Sequence, residues 1–160
     1  MKYFKPDYLF EHFTDITITW LKEHQIQHIF SDLDSTLAAH DQLGCERFEN
    51  WLAMLHDNHI ELVIISNNNQ ERVDKFTEPF GITGYGKANK PTTTKIEKIM
   101  KDVGAKSETS IFLGDQIFTD VLCGKRLGMT TVLVQPIGPE HEPWNITIKR
   151  KLETVIRSQW

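Results

Sequence analysis

Short apolar runs that stop abruptly at polar residues constrain this chain more than any other feature. Ile26, Ile29 and Phe30 lead into Ser31-Asp32-Leu33-Asp34-Ser35-Thr36, and Leu62-Val63-Ile64-Ile65 ends in Ser66-Asn67. Ser110-Ile111-Phe112-Leu113 ends in Gly114-Asp115, and Thr131-Val132-Leu133-Val134 precedes Gln135-Pro136. Such runs read as buried strands. A short segment around Ile82 to Tyr85, flanked by glycines, adds another. Between the runs, residues 45–58 carry Phe48, Trp51, Leu52 and Leu55 at helix spacing, and 70–76, 92–103 and 119–127 also read as helices. Strands alternating with helices through short connections predict a doubly wound, Rossmann-like α/β fold. Its parallel sheet has about five strands, with helices on both faces.

Both ends of the chain are expected to pack on that sheet as helices. Residues 6–24 place Tyr8, Leu9, Phe13 and Ile16, then Ile18, Trp20 and Leu21, near helix spacing, with Asp15 or Thr17 as a cap. Asp7, Glu11 and Asp15 make the polar face acidic, which favours packing over membrane contact. A Pro/Gly-rich loop, 136–143, precedes a last helix over 147–158. There Lys149, Arg150, Lys151 and Arg157 accompany Ile148, Leu152, Val155, Ile156 and Trp160. This composition also suits an anionic lipid surface, but covering the sheet is the commoner role. The 160 residues make one domain, 1–160, and no connection is long enough for a second.

Composition excludes several classes. A net charge of −4 argues against broad nucleic-acid binding. No apolar run approaches the roughly 18 residues of a membrane span, and the first ten residues lack the apolar centre of a signal peptide. Cys45 and Cys123 are far apart, and the histidines lack metal-ligand spacing. A cytoplasmic, reduced protein is the expectation.

In parallel sheets ligands bind at the carboxyl ends of strands. Here those ends carry Asp32 and Asp34, Ser66 and Asn67, and Asp115 with Asp120 five residues on. Lys90 follows the third strand just before a helix. Singly, each has a bland reading. Ser66 or Asp115 could cap a helix, Asp120 could pair with Lys125 or Arg126, and Lys87 rivals Lys90. Together they suit a phosphate and a divalent metal. Mg²⁺ takes hard oxygen ligands, and phosphate takes short donors and a cation.

Asp32-Leu33-Asp34-Ser35-Thr36, Ser66-Asn67, Lys90-Pro91 and Gly114-Asp115 with Asp120 resemble the four ordered motifs of the haloacid dehalogenase superfamily of phosphohydrolases. The likeness extends to its YqeG-like, subfamily IIIA branch. Lys5-Pro6-Asp7 and Asp15-Ile16-Thr17 carry it before the first motif, and Gly124-Lys125-Arg126-Leu127-Gly128 after the fourth. Leu33 stands where that branch often carries Asn. The resemblance implies a phosphatase without a cap domain. Asp32 would be the nucleophile that forms an aspartyl-phosphate, and Asp34 the acid and base. Mg²⁺ would be held by Asp32, the Asp34 backbone carbonyl and Asp115, with Asp120 orienting Lys90 or a metal-bound water. Ser66, Asn67 and Lys90 would hold the phosphoryl oxygens. An open site suits a large phosphorylated substrate, such as a phosphoprotein, a nucleic-acid end or a lipid head group. Some relatives of the branch dephosphorylate phosphatidylglycerophosphate, which would bring the protein to a membrane surface.

Two other readings remain at this point: a catalytically silent module that binds or assembles on the same scaffold, and a phospho-acceptor receiver domain. A receiver would place its phosphorylated Asp on a middle strand, whereas the second strand here ends in Ser66-Asn67.

Overall fold

The computed structural model describes residues 2–160. Six strands form one parallel sheet: β1 (Tyr8–Phe10), β2 (His28–Ser31), β3 (Glu61–Ile65), β4 (Gly84–Tyr85), β5 (Ser110–Gly114) and β6 (Thr130–Val134), in the order β1-β6-β5-β2-β3-β4. The helices are α1 (Ile18–Glu23), α2 (Glu46–Asp57), α3 (Gln70–Thr77), α4 (Thr94–Val103), α5 (Leu122–Arg126) and α6 (Trp144–Arg157). Alternate strand residues feed two cores. Ile29, Ile64, Leu113 and Val132 pack with Leu21 of α1, with Phe48, Trp51 and Leu55 of α2 and with Val73 and Phe76 of α3. Phe30, Val63, Ile65 and Phe112 pack on the other face with Ile96 and Ile99 of α4 and Cys123 of α5. A sheet buried on both faces explains why its strands read as continuous apolar runs.

The expected α/β architecture is present, and no cap domain is seen among the described residues. Two expectations at the chain ends need correction. Residues 6–24 do not form helices throughout: Tyr8–Phe10 is β1, and only Ile18–Glu23 is α-helical, after a 3-10 turn at Phe13–Asp15. The deciding contacts are non-local. Asp7 donates its N–H to the Thr131 carbonyl at 3.1 Å, its carboxylate accepts the Thr131 N–H at 2.8 Å, and Lys125 Nζ donates to it at 2.6 Å. These bonds fix Tyr8 opposite Val132 and add a sixth strand. Burial works against the Asp7 carboxylate, but Lys125 and Thr131 hold its pKa below the usual value. Thr17, rather than Asp15, caps α1, accepting the Trp20 N–H at 3.2 Å.

At the other end α6 begins at Trp144, just after Pro143, rather than at 147. It does not lay its apolar stripe on the sheet. Its buried residue is Glu153, whose Oε1 accepts the N–H groups of Ile117 and Phe118 at 2.7 and 3.2 Å. The expected helix 119–127 is also divided, into a π-helical turn at Ile117–Val121 and then α5. π turns often mark functional sites, and this one carries Asp120.

Candidate active site

Chain order reverses between β2 and β5, which are neighbours with β3 on one side and β6 on the other. Such a switch point opens a crevice at the carboxyl ends of the strands. Asp32 leaves β2 there, its N–H still donating to Leu113 of β5 at 2.9 Å. Asp115 follows β5 directly. The turn after Asp115 folds Asp120 back, so its Oδ2 accepts the N–H groups of Asp115 and Gln116 at 3.2 and 3.1 Å. Gly114 is required for this, because a Cβ there would overlap the Asp120 side chain. Carboxylate oxygens of Asp32, Asp115 and Asp120, all buried, lie within 4.8 Å of one another.

Lys90 bridges this trio. Its ammonium lies 3.0 Å from Asp32 Oδ1 and 2.8 Å from Asp120 Oδ1, with 1 % of its side chain exposed. Lys87 is exposed, and Lys125 and Arg126 turn elsewhere, to Asp7 and the Pro91 carbonyl. Burial pulls Lys90 downward, but the Asp120 and Asp32 carboxylates beside it carry its pKa above the ordinary value. Burial, followed by the neighbouring Asp120 charge, pushes Asp32 well above the usual carboxylate range against the pull of Lys90. Asp115 is pushed up by burial, with Arg150 opposing. Three crowded carboxylates of this kind favour a divalent cation. An all-oxygen donor set fits a hard ion such as Mg²⁺ without selecting it over similar metals.

Asp34, Ser66 and Asn67 line, with Asp32 and Lys90, a cavity of about 310 Å³ at this edge, but with different partners. Asp34 lines it, yet its side chain stands outside the carboxylate trio. It accepts the Asp41 N–H at 2.8 Å, Asn68 Nδ2 at 2.9 Å and Arg72 Nε at 3.1 Å. Ser66 is buried at the end of β3, where its hydroxyl accepts the Asn68 N–H at 3.0 Å, while Asn69 caps α3. Asn67 clamps the Lys90 backbone, with Nδ2 donating to its carbonyl at 3.0 Å and Oδ1 accepting its N–H at 2.7 Å. Both ends of the amide are thus engaged by the Lys90 backbone, while Asn67 also lines the cavity.

Several site residues were not foreseen. Thr36 Oγ1 donates to Asp115 Oδ1 at 2.7 Å. Ser35, in the left-handed region at φ 66°, donates its hydroxyl to Glu142 Oε2 at 3.0 Å. Arg150 of α6 bonds both Glu142 and Asp115, its Nε lying 2.7 Å from Glu142 Oε1. Arg72 was hidden inside an ordinary helical pattern. Arg150 stood in plain view in a basic run, but nothing local distinguishes it from Lys149 or Lys151.

A family model described as haloacid dehalogenase-like hydrolase matches residues 8–134. The chain is 37% identical over 138 residues to the probable phosphatase YqeG of Bacillus subtilis, covering 86% of this chain and 80% of that one. It is 35% identical over 74 residues to phosphatidylglycerophosphate phosphatase 1, chloroplastic/mitochondrial, of Arabidopsis thaliana, covering 46% of this chain and 21% of that protein. Among solved structures, the fold is similar to the cobalt-bound form of the deoxy-D-mannose-octulosonate 8-phosphate phosphatase of Haemophilus influenzae. The TM-score is 0.55 and the identity 18%, over 84% of this chain and 89% of that one.

Proposed function

This chain belongs to the haloacid dehalogenase-like hydrolase family and is a phosphatase of phosphoric monoesters, and from that premise we propose that it works with Mg²⁺ through an aspartyl-phosphate on Asp32. The observation that carries this reading is Lys90 buried between Asp32 and Asp120 beside Asp115, at the point where strand order reverses. Family membership sets aside the receiver reading, and the likeness to a probable phosphatase supports chemistry over a silent module on the same scaffold. Residues 1–160 are read as one cytoplasmic domain.

In the proposed reaction an Asp32 carboxylate oxygen attacks phosphorus and the bond to the leaving oxygen breaks. Asp34 gives that oxygen its proton. For this its side chain turns from Arg72 into the cavity it already lines. Water then attacks phosphorus, Asp34 takes the water's proton, and phosphate leaves as the Asp32 carboxylate is restored. Lys90 and Ser66 hold the phosphoryl oxygens, Asn67 and Asp120 hold Lys90, and Thr36 orients Asp115. Mg²⁺, held by Asp32, Asp115 and the Asp34 backbone carbonyl, would neutralise charge on the transferring group.

The substrate we favour carries its phosphate on a large head group, with phosphatidylglycerophosphate first. The partial likeness to the plant phosphatase supports it. So does Lys149, a cation on the cavity wall beyond the carboxylates. The test is phosphate release from an aryl phosphate and from phosphatidylglycerophosphate, with and without Mg²⁺. Native protein should hydrolyse both and prefer the lipid. Asp32→Asn should remain folded and lose at least about 10³-fold in rate. Turnover that survives this substitution would remove Asp32 as the nucleophile.

A further inference from the structure

Helix α6 is arranged inside out. Its anchors on the inward side are polar: Glu153 is buried on the Ile117 and Phe118 amides, and Arg150 is bound to Glu142 and Asp115, with Ile146 and Ile156 half-buried beside them. Its outward side is apolar: Trp144 is 76 % exposed, Val155 64 %, Leu152 57 % and Ile148 49 %. Steps of four, four and three residues place these side chains on one face, opposite Glu153. The polar anchors therefore hold the apolar row outward. A contiguous row of large apolar side chains marks a surface that meets something.

We propose that this face of α6 docks the protein on a bilayer containing anionic lipid. Charge selects this occupant. The helix carries Lys149, Arg150, Lys151 and Arg157 against Glu153 alone, a net of +3 in a chain of net charge −4. Arg150 is engaged by Glu142 and Asp115 and Glu153 is buried, which leaves Lys149, Lys151 and Arg157 as the cations of this helix available to a partner. Among the described residues, the helix with the largest net positive charge thus carries the exposed apolar row, and exposed Lys151 adjoins it. Pairing with a second copy would set two +3 helices against each other. Aromatic and aliphatic residues on one face, with basic residues beside them, are what an interfacial helix uses. At about 1.5 Å per residue, the helix would lie on the surface along roughly 20 Å. Among the described residues, no helix is long and apolar enough to cross a membrane. Ile146 and Lys149 of the same helix line the cavity from its other side, so docking holds the site one helix diameter, roughly 10 Å, from the lipid surface. The inference rests on the phosphatase reading only for what docking accomplishes, and binding is measured without turnover.

The experiment is flotation of the full chain with vesicles of phosphatidylglycerol mixed into phosphatidylcholine, and with phosphatidylcholine alone. Native protein should float with the anionic vesicles and about tenfold less with the neutral ones. The double substitution Ile148→Ser with Leu152→Ser should reduce flotation by about tenfold or more, while hydrolysis of a soluble aryl phosphate stays at the native rate. Lys151→Gln should weaken binding to anionic vesicles only. The proposal is overturned if native protein stays out of the anionic fraction or the double variant floats like native. A sedimentation result in which native protein is a dimer and the double variant a monomer also overturns it, and assigns the face to self-contact. If flotation holds while neither substrate is hydrolysed, docking stands and the phosphatase reading falls.

Discussion

The floor of the site and its wall are built differently. The floor is Asp32, Asp115 and Asp120 with Lys90 among them, on strand ends and turns whose neighbouring residues belong to the two cores. The wall is Glu142 and α6, attached through Arg150, Ser35 and Glu153 with little apolar burial. The floor is thus held by the same burial that holds the sheet, and the wall by a handful of charged contacts. Segments with few buried apolar contacts open at lower free energy than core strands. The floor suits chemistry, which needs fixed distances, and the wall suits access, which needs movement.

The sharpest way to break this contrast is Lys90→Met. It keeps the bulk of the side chain but leaves Asp32 and Asp120 buried without their cation. Stability should fall by about 3–5 kcal/mol in urea unfolding, and turnover by about 10³-fold or more. A loss below about 1 kcal/mol would mean that the floor is as loosely held as the wall.

Glu153 tests the wall through pH. Burial, against the pull of the Phe118 and Ile117 amides, pushes its pKa up to about 7 from 4.5. A carboxyl that holds its proton more tightly when folded stabilises the fold fully below the lower value, and that contribution is lost as pH rises through the higher one. Between pH 4.5 and 7 the native chain should therefore lose stability relative to Glu153→Gln. Parallel pH profiles in denaturant unfolding would refute this. Hydrogen exchange should locate the change in α6 rather than in β2 or β5.

The smallest expected effect belongs to Arg150→Ala. Arg150 and a metal ion would share Asp115, so removing the guanidinium should tighten Mg²⁺ binding by about three- to tenfold in calorimetric titration. Weaker binding in this variant would show instead that Arg150 holds Asp115 in place for the metal.

Legibility in the sequence follows the same division. The β2, β3, β5 and β6 runs announced themselves because both faces of the sheet are buried, and the acids at their ends stood out because apolar strands have no packing reason to end in carboxylates. Asn67 showed its position but not its task, since an amide can face a phosphate or a backbone equally well. Tyr8–Phe10 misled because a three-residue strand leaves almost no periodicity, and its pairing depends on Thr131 and Lys125 more than a hundred residues away. Arg72 and Arg150 were invisible as site residues, because an arginine within a helix declares its partner only when that helix is docked.

The sequence by itself determined the alternation of strand and helix, the doubly wound parallel architecture and the chemical character of the floor. Local patterning and short connections leave a chain of this kind few other topologies. Only the tertiary structure decided that Asp120 turns back onto Lys90 and that Asp34 rests on Arg72. It alone decided that α6 faces inward with its charges and outward with its apolar row. The periodicity of a helix specifies two faces, but a buried carboxylate or guanidinium with partners waiting in the fold can reverse which of them meets solvent.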